Sequence, residues 1–128
     1  MDTGTEIATA RPVVVIVDDD PAVLSSLAFS LQTEGFSVRP YASAAELLRD
    51  VPVARTGCLV IDYQLPGMNG LDLLAELRRR DVEAPAILIT THPSAAVRAR
   101  AAATGTIVIE KPLLGEALFQ EVRLALRA

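Results

Sequence analysis

Four short stretches of the chain carry side chains able to do chemistry together. Asp18, Asp19 and Asp20 follow an aliphatic run, Val13–Val17, and Asp62 follows Cys58–Ile61 and leads into Tyr63, Gln64, Leu65, Pro66 and Gly67. Thr90, Thr91 and His92 follow Ala86–Ile89, and Glu110, Lys111 and Pro112 follow Thr106–Ile109. Carboxylates gathered at one edge repel one another, and desolvation adds to the cost. A divalent cation resolves that conflict, and hard oxygen ligands without sulfur or imidazole favour Mg²⁺ or Mn²⁺ over zinc. A Mg²⁺ that keeps water or open positions serves phosphoryl transfer. The Lys111 ammonium and the Thr90 hydroxyl then suit the peripheral oxygens of a phosphoryl group, which leaves one carboxylate free to be the nucleophile.

Taken singly, each residue has a plainer reading. Asp20 before Pro21 is a helix cap. Asp18 and Asp19 are loop acids, and Asp62 is a turn residue. Thr90 is a strand-end hydroxyl bonded to backbone, and Lys111 a solvated loop lysine. The chemical reading gains its weight from joint placement, because all of them fall on strand ends of one sheet edge.

That placement rests on the alternation of elements. The β-rich runs are Val13–Val17, Phe36–Tyr41, Cys58–Ile61, Ala86–Ile89 and Thr106–Ile109. Between them, Leu24, Leu27 and Leu31 fall at helical spacing, Leu71, Leu74 and Leu77 repeat every three, and Leu114, Leu118, Val122 and Leu126 every four. Asp20-Pro21 opens one helix and Ser43-Ala44-Ala45-Glu46 another with a capping-box pattern. Gly35, Gly57 and Gly105 fall between elements, where positive φ is cheap. Three runs are apolar on both faces, as central parallel strands must be, whereas Phe36–Tyr41 alternates with Ser37 and Arg39 and reads as an edge. Five strands alternating with five helices predict an α/β fold, a doubly wound parallel sheet with helices on both faces. In such a sheet, ligands bind at the carboxyl ends of the strands near the switch in strand order.

Composition bounds the rest. The 128 residues allow one domain, and 51% hydrophobic and 22% charged residues exclude a disordered or fibrous chain. A formal charge of −4 without a basic tract argues against direct nucleic-acid binding. One cysteine, Cys58, and one histidine exclude an internal disulfide and most zinc sites. No run is long enough to span a membrane. The expectation is a small, soluble, cytoplasmic domain over residues 13–128, preceded by a loose leader over residues 1–12.

The set Val17-Asp18-Asp19, Asp62 with Pro66-Gly67-Met68-Asn69-Gly70, Ile89-Thr90 and Glu110-Lys111-Pro112 resembles the receiver domain of two-component response regulators. The resemblance covers about residues 13–127, and Ile89-Thr90 followed by His92 is most similar to receivers of the nitrogen-fixation regulator type. It implies a CheY-like fold with strand order 2-1-3-4-5. It also implies that Asp62 is the phosphoacceptor, charged by a sensor histidine kinase, a phosphotransfer protein or a small acyl phosphate. Asp18, Asp19, the Asp62 side chain and the Gln64 carbonyl would hold Mg²⁺ or Mn²⁺. Thr90 and Lys111 would meet the phosphoryl oxygens, the Lys111–Pro112 peptide would be cis, and Gln64 and His92 would tune loss of the phosphoryl group. The output would be a homodimer or a second protein engaging the face of the fourth helix, fifth strand and fifth helix. The module would be free-standing or the receiver piece of a transcriptional regulator, and not an enzyme beyond its own phosphorylation and dephosphorylation.

The chain departs from the pattern at three points. Val108 stands where many receivers carry Tyr or Phe, so switching would use aliphatic repacking. The stretch from Thr90 to Lys111 is one residue short. Thr91 replaces a common Ala or Gly and narrows access to Asp62. These departures keep a receiver working without phosphate as an alternative. A remoter one is a small phosphohydrolase with Asp18 as nucleophile and Asp20 as acid, against which Ala22 stands where that family wants Thr or Val. Arg78–Arg80, Arg98 and Arg100 read either as interaction patches or as solvated helix faces.

Overall fold

β-branched residues fill the first strand, β1 (Val13–Val17), and a branched side chain packs well on a pleated sheet. The other strands are β2 (Ser37–Tyr41), β3 (Thr56–Asp62), β4 (Ala86–Thr90) and β5 (Ile107–Glu110). In the computed structural model, which describes residues 12–113 and 116–127, the five pair in parallel in the order β2-β1-β3-β4-β5. The strand order reverses between β1 and β3, so the carboxyl ends of these two flank the crevice where an open sheet binds ligands.

The helices start where the sequence offers caps. Asp20 accepts the N–H groups of Ala22 (3.0 Å) and Val23 (3.3 Å) at the head of α1 (Pro21–Thr33). Ser43 accepts the N–H of Glu46 (3.1 Å) at α2 (Ala44–Asp50), and Asn69 that of Asp72 (2.8 Å) at α3 (Gly70–Arg79). Ser94 does the same for Val97 (3.1 Å) at α4 (Ala95–Ala103), and α5 (Ala117–Arg127) is the last described helix. α1 and α5 cover one face of the sheet, with Leu27, Leu31, Leu118 and Val122 packed on Val14, Ile16, Cys58, Val60, Ile87 and Ile89. α2 and α3 cover the other, with Leu47, Leu73, Leu74 and Leu77 on Val15, Val17, Leu59 and Ile61. A buried Leu contributes about 1.5–3 kcal/mol and a methyl group about 0.8. α3 buries Leu71, Leu73, Leu74 and Leu77, but the buried residue of α4 is Ala101. α4 is therefore the least firmly held of the two.

The edge position expected for the second run holds, as do five strands and five helices. Bounds move by one or two residues: β2 starts at Ser37, β3 runs from Thr56 to Asp62, β4 takes in Thr90, and β5 runs from Ile107 to Glu110. Gly35 and Gly105 take positive φ as expected, but Gly57 does not separate elements. It lies inside β3, where an added Cβ would come within 2.6 Å of Leu126 Cδ2 and 2.7 Å of Pro12 Cβ, so close packing and not turn geometry demands glycine. The Glu46 carboxylate reaches the N–H of Ala42 (3.1 Å), one residue before the one a capping box uses. Residues 1–11 of the expected leader, and Leu114 of the last apolar stripe, lie outside the described residues.

Candidate functional site

Parallel pairing brings the carboxyl ends of β1, β3, β4 and β5 to one edge of the sheet. Asp62 is the last residue of β3, Asp18 follows β1 directly, and Lys111 follows β5. Carboxylate oxygens of Asp18, Asp19 and Asp62 all lie within 4.8 Å of one another. Asp18 and Asp62 are buried and Asp19 is exposed. The Lys111 ammonium stands 3.1 Å from Asp62 Oδ2 and 4.0 Å from Asp18 Oδ2. The Gln64 N–H donates to Asp62 Oδ1 (3.2 Å), and the Asp20 N–H to Asp18 Oδ1 (2.9 Å). Burial, the nearby Asp62 and then Asp19 push the Asp18 carboxyl above its ordinary value, opposed by the Asp20 N–H and Lys111.

These groups line a cleft of about 590 Å³ together with Val23, Tyr63, Leu65, Pro66, Asn69 and Thr91. Three carboxylates face one ammonium, and every acidic donor is a hard oxygen. Such a set suits a divalent cation and offers nothing to a soft metal. The backbone beneath it is tightly packed. An added Cβ on Gly70 would sit 2.6 Å from the Asp62 carbonyl oxygen and 3.0 Å from Ile61 Cγ2 and Leu88 Cδ1. Only glycine lets the head of α3 approach the strand that carries Asp62.

The structure brings together Asp18, Asp19, Asp62, Gln64 and Lys111, with exposed Thr91 on the rim. Thr90 ends β4, buried at 2% exposure and not among the residues that line the cleft, and its carbonyl accepts the Lys111 N–H (2.8 Å). His92, with φ of 48°, lines a second groove of about 860 Å³ between α1 and α5, beside Thr91, Lys111 and Pro112. The Lys111–Pro112 peptide is cis, as expected, and Val51–Pro52 is a second cis bond. Val108 lies half-buried against Leu71, Leu88 and Ala101. Sequence reasoning assigned no role to Tyr63 or to Asn69, which caps α3 and lines the cleft; Asn69 just ahead of a leucine-periodic segment was the signal available. The arginines have partners within the chain: Arg98 with Glu110, Arg100 with Asp72, Arg79 and Arg80 with Glu76, and Arg78 with the Val82 carbonyl.

Comparison with known proteins adds an independent line. The sequence pattern of the response regulator receiver domain matches residues 14–123. The chain is 39% identical over 115 residues to the transcriptional regulatory protein FixJ of Azorhizobium caulinodans, covering 88% of this chain and 54% of that protein. The chain spans about half the length of the curated relatives it matches. The crystal structure of FixJ-N superposes with a TM-score of 0.82 at 35% identity, covering 91% of this chain and 94% of that one. A CheY-like receiver domain protein from Methanospirillum hungatei gives 0.83 at 27% identity, covering 91% and 94%. No described helix is long and apolar enough to cross a membrane. With the acidic cleft at the strand switch, the matched pattern and the shared fold all agreeing, this chain belongs to the receiver domains of two-component response regulators, with its likeness running to those of the FixJ type.

Proposed function

We propose that the chain is a phosphorylation-controlled interaction module in which Asp62 accepts a phosphoryl group from a sensor histidine kinase, a phosphotransfer protein or a small acyl phosphate. The observation that carries this reading is the Lys111 ammonium 3.1 Å from Asp62 Oδ2, inside a cleft shared with two further carboxylates. Asp62 attacks phosphorus, the bond to the donor's nitrogen or oxygen breaks, and the leaving group takes the electron pair. Asp18, Asp19, Asp62 and the Gln64 carbonyl would hold Mg²⁺ or Mn²⁺, which supplies positive charge to the transferring oxygens. Lys111 neutralises charge on the acceptor side and then pairs with the phosphoryl oxygens. Thr90 is buried at the end of β4, and the part of its hydroxyl is to move inward to meet the new phosphoryl oxygens. Thr91 on the rim restricts entry, and His92 and Gln64 influence how fast water removes the group.

The added charge biases a two-state surface on α4, β5 and α5, read by a second copy or an output protein. The acidic balance of the chain gives this unit no phosphate-binding footprint of its own. Cytoplasmic location accords with a cytosolic kinase partner. The phosphohydrolase reading lacks support in the geometry, because the Asp20 carboxylate is engaged as the cap of α1. A receiver acting without phosphate leaves the paired Asp62 and Lys111 idle.

The test is intact-mass analysis after incubation with acetyl phosphate, with and without Mg²⁺, beside Asp62→Asn. One phosphoryl adduct needing both Mg²⁺ and Asp62 is the expected result. Equal labelling of the variant would remove the assignment, and a folded wild type that takes no adduct would favour the phosphate-independent reading.

A further inference from the structure

Tyr63 belongs to two environments at once. Its N–H donates to the Ile89 carbonyl (2.8 Å) and its carbonyl accepts from the Gly70 N–H (2.7 Å), so its backbone is tied to β4 on one side and α3 on the other. The side chain is left as the part free to respond. It packs, half-buried, on the cluster of Leu71, Leu88 and Ala101 beside Val97 and Val108, while the residue also lines the acidic cleft. Among the described residues, no other one lines that cleft and also packs on this cluster.

α4 depends on that cluster. Among the described residues it contributes Ala101 and Val97 to that cluster, and its side-chain ion pairs, Arg98–Glu110 and Arg100–Asp72, are exposed. Exposed pairs of this kind hold weakly. An element held by few buried contacts opens and shifts at low cost.

Resting on the reading of Asp62 as phosphoacceptor, we propose that Tyr63 is the positioning residue that passes charge added at Asp62 to α4 and β5. Tyr63 is the next residue in the chain after Asp62. A phosphoryl group there adds volume and charge beside the cleft wall that Tyr63 helps to form, and the aromatic ring, packed on an apolar cluster, is the bulky body that must shift to accommodate it. Any displacement of the ring alters the cover over Val97, Ala101 and Val108. Because the cluster holds no other aromatic ring, small aliphatic neighbours must repack around it.

Hydrogen exchange across residues 95–110, measured with and without acetyl phosphate and Mg²⁺, tests this on wild type, Tyr63→Phe, Tyr63→Leu and Tyr63→Ala. Intact mass reports the Asp62 adduct in each sample. All four proteins are expected to label, with wild type and Tyr63→Phe changing exchange in that segment by about fivefold and the Leu and Ala variants by much less. A second readout is optical: the chain has two tyrosines and no tryptophan, so Tyr41→Phe leaves Tyr63 the only emitter, and its fluorescence should change on labelling. If labelled Tyr63→Leu shifts residues 95–110 as fully as wild type, or if labelled Tyr41→Phe shows unchanged emission, the proposal falls while the role of Asp62 stands. If wild type takes no adduct, the reading of Asp62 falls and the proposal with it. Tyr63→Phe and Tyr41→Phe keep the test open should the alanine variant fail to fold.

Discussion

Asp18 is a buried carboxyl whose surroundings resist its charge. Its pKa is raised from 3.8, chiefly by burial, with Asp62 and Asp19 adding to the effect. A carboxyl so raised binds more protons folded than unfolded between its ordinary and its raised value, so stability falls as pH climbs through that window and the loss persists above it. Asp18→Asn in chelator-treated buffer should therefore melt above wild type at pH 7, with the gap closing as pH drops toward the ordinary carboxylate range. Wild type should gain stability from Mg²⁺ and the variant much less. A variant melting at or below wild type at pH 7 would count against the charge conflict. Cys58 illustrates burial of another kind: fully enclosed, its thiol is pushed up to about 12. Only thiolate attacks disulfide reagents, so native protein at pH 8 should react on the order of a thousandfold slower than protein in urea. Rapid native modification would contradict that burial. The acidic and basic members of the site were legible because each follows a β-rich run. Tyr63 was not, since nothing in the alternation tells whether a residue just past a strand turns to solvent or back onto the core.

At the scale of elements, the head of α3 presses on the strand that carries Asp62. Gly70→Ala sets a methyl group 2.6 Å from a backbone carbonyl, which cannot swing aside as a side-chain tip can. The expected cost is about 1–3 kcal/mol in urea unfolding, together with slower adduct formation because the Asp62 backbone must move. Unfolding free energy and labelling rate both equal to wild type would show that the contact relaxes freely. The strands and two of the helix starts were readable from apolar runs and from Asp20 and Ser43, whose side chains compete for backbone N–H groups. Gly57 was misread because glycine in a strand and glycine in a turn look alike until the packing partner is known. That partner, Leu126, lies 69 positions along the chain and becomes a neighbour only when α5 folds back over the sheet. Thr90, read as a strand-end hydroxyl, does end a fully buried strand.

For the whole molecule, parallel pairing has a consequence that no single element shows. All five strands run the same way, so their carboxyl ends meet on one rim, and the acids that follow β1 and end β3 are concentrated there with Lys111. Right-handed crossovers and a buried two-sided sheet made this arrangement predictable from the order of elements. With Asp18, Asp19 and Asp62 ionised, their cluster with Lys111 carries two uncompensated negative charges, the magnitude of one divalent cation. A donor such as acetyl phosphate is itself an anion, and like charges meet more often as dissolved ions shield them. Labelling at sparing Mg²⁺ should accordingly accelerate as NaCl is raised from about 0.01 to 0.15 M, where the screening length shrinks from about 30 to 8 Å. At saturating Mg²⁺ the same titration should leave the rate nearly flat. The slope of rate against ionic strength thus becomes a kinetic electrometer, reporting the net charge that an arriving phosphodonor meets at the mouth of the cleft.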